Sequence, residues 1–104
     1  MTYRVLYTET FHEELDAQLA YFAEQGAPES RVADWLTELL DLVDGLAESP
    51  QRHAVAGPES AARGVEIRRV TFGDYLAFYL VDEPHREVQL LGFRRGARQR
   101  GRRP

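Results

Sequence analysis

The stretch "VEIRRVTFGDYLAFYLVDEPHREVQLLGFR", Val65 to Arg94, decides the fold. "VEIRRVTF" is strand-like, and Gly73-Asp74 supplies turn chemistry. "YLAFYLVD", Tyr75 to Asp82, is apolar and aromatic almost without interruption, as expected of a central strand covered on both faces. "EPHR" turns the chain again and "EVQLLGFR", Glu87 to Arg94, reads as a further strand. Three strands joined by connections this short form an antiparallel meander.

Upstream the period changes. "YRVLYT", Tyr3 to Thr8, has the β-branched and aromatic content of a short strand. Thr10 with Glu13 fits a capping box, and Phe11, Leu15, Leu19 and Phe22 then recur at helical spacing up to a stop at Gly26. A second helix begins near Pro28 or Ser30, and Val32, Trp35, Leu36, Leu39, Leu40, Val43 and Leu46 form its broad apolar stripe. Between the helices and the meander, "SPQRHAVAGPESAARG" (residues 49–64) contains two prolines and two glycines; it reads as a long connection with room for a short helical turn. The order β-α-α-β-β-β predicts an α+β fold: a helical hairpin packed on one face of a mainly antiparallel four-stranded sheet. Trp35, Phe22 and the leucines are expected to fill that interface, leaving the opposite face free.

The 104 residues suit a single domain, with residues 1–98 forming the globular part and 99–104 a basic C-terminal tail. Cysteine is absent, so disulfides and thiolate metal sites are excluded. No apolar run approaches the roughly 18 residues that span a bilayer, and a soluble, cytoplasmic protein without membrane contact is expected. The formal charge of −4 conceals a strong asymmetry: residues 1–50 carry 11 acids against Arg4 and Arg31, whereas residues 51–104 carry 11 arginines against 6 acids. Such separation focuses potential locally whatever the net charge. The acids fall largely on the outward sides of the two helices, and the arginines culminate in "FRRGARQRGRRP", residues 93–104.

Few enzymatic chemistries are supplied. His12, His53 and His85 fall at a helix start, in a loop and in a turn, without a metal-ligand spacing. The chain contains no lysine and no glycine-rich phosphate loop, and its serines stand in polar turns without a nucleophile signature. No cofactor is expected. Arginine chemistry remains, and guanidinium forks bind phosphates or carboxylates bidentately. Cleavage of RNA would also require proton donors and acceptors, for which Glu66, His85, Tyr75 and Tyr79 are the candidates, although both tyrosines fit packing roles in the aromatic strand.

The run from Glu66 to Arg98 resembles the RelE/ParE superfamily of toxins from type II toxin-antitoxin modules. Glu66-Ile67-Arg68 is similar to the family's Glu-Leu-Arg strand, Gly73, Tyr75 and Tyr79 to its Gly-x-Tyr-Arg turn and following strand, Val81-Asp82 to the end of that strand, and Gly96-Ala97-Arg98 to its closing Gly-Ala-Arg. The resemblance implies the α+β fold reached above and an antitoxin whose C-terminal segment wraps the toxin in a hetero-oligomer. RelE-like members cleave messenger RNA on the ribosome, whereas ParE-like members inhibit DNA gyrase and lack the nuclease residues.

Two departures favour the ParE-like branch. The arginine that in the nucleases follows the Gly-x-Tyr turn and contacts the scissile phosphate is Leu76 here, and the terminal tyrosine is replaced by Gln99, Arg100 and Gly101. Arg95 replaces the common histidine before Gly-Ala-Arg, where it is either a phosphate anchor or a solvent-facing residue and so fits both branches; the absence of lysine favours the ParE-like one. The resemblance thus implies a gyrase inhibitor without catalytic residues. Arg94, Arg95, Arg98 and Arg100, with Arg102 and Arg103 beyond them, are the target-binding candidates, and Arg68 and Arg69 the antitoxin-binding ones. A ribosome-dependent mRNA interferase, and an inactive relative or nucleic-acid-binding module, are the alternatives.

Overall fold

The computed structural model describes residues 2–96. Its sheet has the order β1-β4-β3-β2, with β1 Arg4–Tyr7, β2 Arg68–Phe72, β3 Tyr75–Asp82 and β4 Glu87–Arg95. The predicted meander is present, with β3 paired antiparallel to both β2 and β4. The first strand lies at the edge of the sheet parallel to β4, and the chain passes from it through the helices before it enters β2. Gly73, at φ 60°, is the first residue of the two-residue turn between β2 and β3, where a side chain would be strained. A bulge interrupts the β3–β4 ladder: Phe78 faces Gly92 and Tyr79 faces Leu90, leaving Leu91 as the extra residue.

Helices α1 (Glu9–Glu24) and α2 (Glu29–Asp44) form the hairpin. The capping residue of α1 is Thr8, not Thr10. Its hydroxyl accepts from the Phe11 amide at 3.3 Å and donates to the Leu90 carbonyl at 2.7 Å, so one side chain ends β1's register and starts the helix. Phe11, Leu15, Leu39, Val43 and Leu46 meet Val70, Tyr75, Ala77, Tyr79, Val88, Leu90 and Phe93 in one continuous core. Trp35 lies edge-on to Phe22, Phe72, Tyr75 and Phe93, with ring centroids 4.9 to 5.9 Å away, as the sequence predicts for the hairpin interface.

Because β1 pairs only with Glu87 to Leu90, the C-terminal half of β4 has no strand on that side. Glu14 of α1 compensates by accepting the Phe93 amide at 2.7 Å. Gly92 permits this approach, since a Cβ there would stand 3.0 Å from the Glu14 carboxylate oxygen.

The opposite face is not free, contrary to expectation. Ile67, Leu76, Phe78 and Ala56 form a second buried cluster, with Leu80 and Leu91 partly buried against it. A third helix within the long connection, α3 (Gly57–Arg63), covers part of this face. The connection is further attached where Ala56 donates to the Ile67 carbonyl and Arg69 to the Ala54 carbonyl. Among the described residues, no helix is long and apolar enough to cross a membrane.

Candidate target and partner surfaces

Strand alternation divides the candidate arginines between the two faces. Arg94 is paired with Leu76 and belongs to the second face; its guanidinium lies 4.4 Å from the Phe78 ring centroid and its Nη2 2.6 Å from a Glu59 carboxylate oxygen. Arg95 is paired with Tyr75 on the hairpin side, 5.8 Å from that ring's centroid and 3.9 Å from the Asp74 carboxylate. The two are therefore neighbours in sequence that do not form one basic surface. Arg98 and Arg100, like the rest of the tail, lie outside the described residues.

Arg68 and Arg69 divide in the same way. Arg68 stands opposite Tyr79 on the hairpin side and is engaged internally, donating to the His53 carbonyl at 2.6 Å and to Glu66 at 3.2 Å. Its side chain is only 17% exposed, which leaves it little capacity for a partner. Arg69 stands opposite Phe78 on the second face, and among the described residues its guanidinium makes no hydrogen bond or ion pair. Of these two, Arg69 is the one available to an incoming carboxylate.

The second face carries chemistry that the sequence reading did not assemble. A cavity of about 170 Å³ opens between α1, α3 and β4, lined by Glu14, Glu59, Arg63 and Arg94 over a floor of Phe78 and Leu91. Its two carboxylates and two guanidiniums balance in charge. The sequence hides Glu59 and Arg63 because their helix buries no residue and so carries no apolar stripe. Pro58 in the first turn and Gly64 at φ 75° after the last are the start and stop signals that mark α3.

The groups considered for proton transfer are not brought together. Tyr75 and Tyr79 are buried in the hairpin-side core. Burial pushes the Tyr79 hydroxyl up to about 12 despite the opposing fields of Arg68 and Arg52, and that hydroxyl donates to the Pro50 carbonyl at 2.6 Å. Glu66 is paired with Arg68, while His85 lies in the β3–β4 turn against Asp82, at the far end of β3 from Tyr75. No group of three histidine, cysteine or acidic side chains among the described residues could hold a metal ion.

Solved structures share this architecture. The toxin-antitoxin complex RelBE2 from Mycobacterium tuberculosis contains a chain 19% identical, aligned over 93% of this protein and 94% of its own length with a TM-score of 0.59. The archaeal RelE-RelB complex from Pyrococcus horikoshii OT3 contains another, also 19% identical, aligned over 99% and 100% with a TM-score of 0.50. At such identities the likeness shows the fold alone, the α+β architecture described above. None of the curated proteins matches the sequence. Residues 5–100 match the family described as ParE toxin of type II toxin-antitoxin system, parDE. The chain belongs to that family.

Proposed function

We propose that the protein is the toxin of a type II toxin-antitoxin module, that it acts by binding and inhibiting DNA gyrase, and that a cognate antitoxin neutralises it in a hetero-oligomer. Its side chains make and break no bonds; they bind. The observation that carries this reading is the environment of Leu76, which is 5% exposed and packed with Ile67 and Phe78 in the second cluster. Leu76 occupies the position at which the nucleases of the superfamily are expected to offer an arginine to the scissile phosphate. A buried apolar cluster provides neither the charge nor the access that such chemistry needs. The basic end of the sheet, with Arg95 exposed on the hairpin side and the tail arginines following it in sequence, is the target surface. Arg69 is the ion-pair anchor for the antitoxin.

The test is a paired assay of purified protein: supercoiling by gyrase, and cleavage of messenger RNA on programmed ribosomes, each repeated with Arg95→Ala and Arg98→Ala. Gyrase inhibition that weakens at least tenfold in the variants, with message left intact, is the expected result. Ribosome-dependent cleavage would replace it with an mRNA interferase. Silence in both assays would leave an inactive relative or a nucleic-acid-binding module.

A further inference from the structure

We propose that α3 is a lid on the second face, held shut by the ion pair between Glu59 and Arg94, and that Arg94 is a positioning residue acting through this clasp. Three independent features lead to this assignment. First, α3 has seven residues and buries none of them, so neither intrinsic helix stability nor a core of its own keeps it in place. Second, glycines stand at both ends. Gly57 opens the helix and Gly64, at φ 75°, closes it; a Cβ at either would meet nothing within 4 Å, so the backbone there is uncrowded.

Third, the attachments of α3 are polar and differ at its two sides. On the side nearest β2, Ser60 Oγ accepts the Ile67 amide at 2.8 Å and reaches the Ala56 carbonyl at 2.7 Å, forming a pivot between the helix and the chain that enters the sheet. On the side facing β4, the Glu59 carboxylate meets Arg94 at 2.6 Å. The Arg94 guanidinium lies over Phe78, so the clasp rests on the cluster that the lid helps to cover. Beside the clasp, the cavity containing Arg63, Glu14 and Thr10 keeps this side of the lid unsealed. Opening about the Ser60 pivot separates Glu59 from Arg94 and exposes Phe78 and Ile67 without disturbing the hairpin-side core.

Amide hydrogen exchange tests the lid whether or not the protein inhibits gyrase. The reporters are the Ser60 and Gly64 amides, which donate within the lid segment to Ala56 and Ser60 carbonyls at 2.9 and 2.8 Å, bonds that a seven-residue helix does not keep once it leaves the face. Amides of β3 serve as references, and the variants are Arg94→Glu, Glu59→Arg and the two combined. Because both partners are partly exposed, each single variant is expected to lower the reporters' protection factors about two- to fivefold, leave β3 unchanged, and be restored to within about twofold by the charge swap. Unchanged reporters in the single variants, or a swap that restores nothing, would overturn the clasp. Equal loss of protection in β3 would show that the pair holds the whole fold, and would overturn the lid.

Discussion

The two faces of this sheet are built from alternate residues of the same strands, yet they are secured by different physics. On the hairpin side, two 16-residue helices bring Phe11, Leu15, Leu39 and Val43 onto Val70, Tyr79, Val88 and Leu90, with Trp35 wedged among four aromatic rings. On the second side, Ile67, Leu76 and Phe78 form a small cluster partly covered by a seven-residue helix, which is attached through its buried N-cap residue Ala56, a serine and an ion pair. Apolar burial scales with area removed from water, so the first face supplies most of the stability. The second face can rearrange at little cost, which suits it to being a working surface.

Truncating one large side chain on each face measures the difference. Phe11 is fully buried between two rigid layers that cannot close over a void, and Phe11→Ala should cost about 3–5 kcal/mol in urea unfolding, a large part of the stability of a domain this size. Phe78 is almost as buried, but its cover is a short helix able to settle inward, so Phe78→Ala should cost about 2–3 kcal/mol. Equal losses, or a greater one at Phe78, would mean that the second face is a structural core and that the contrast is wrong.

A smaller effect tests the junction between the two regions. The Tyr79 hydroxyl crosses from the hairpin-side core to the Pro50 carbonyl, tying down the start of the connection that later forms α3. Tyr79→Phe keeps the ring and leaves that carbonyl without its donor, at a cost of about 1–3 kcal/mol. Smaller again is the cap of α1, where Thr8→Ala should cost about 1 kcal/mol by removing the acceptor for the Phe11 amide. Thermal unfolding of both variants ranks them, and a larger loss at Thr8 would show that the helix start, not the Pro50 tie, is the more sensitive junction.

The same contrast explains what could be read from the residues alone. Elements that bury a regular face announce themselves: the stripe from Val32 to Leu46 and the aromatic run from Tyr75 to Asp82 were readable because burial imposes periodicity, and the meander followed from the short turns. Helix α3 buries nothing and so carries no stripe; only Pro58 and Gly64 mark it. The sequence does not separate Thr8 from Thr10 as the cap, because both are hydroxyl residues before an apolar stripe and the choice depends on where β1 ends, at the Leu90 carbonyl. The division of Arg94 from Arg95 followed in principle from strand alternation, but the destination of each did not. Glu59 lies 35 residues from Arg94 and Asp74 lies 21 from Arg95, and only the folded chain brings either acid to its arginine.

The smallest effect is one of pH, and it lies beside the Pro50 tie. His53 packs edge-on to Tyr79 at 6.4 Å between ring centroids, and its pKa is lowered, first by burial and then by the charges of Arg52 and Arg68. The unfolded chain, with its histidine near 6.5, therefore takes up a proton at a higher pH than the folded protein does. Stability from this group is complete above that value, declines as pH falls through the interval down to the lowered folded pKa, and then levels off. His53→Gln removes the titration and should flatten the fall in melting temperature between about pH 7.5 and 5.5. If the wild-type and variant curves stay parallel across that window, neither burial nor the fields of Arg52 and Arg68 shift the ring. The connection would then stand free of the hairpin-side core at His53 as well as at α3.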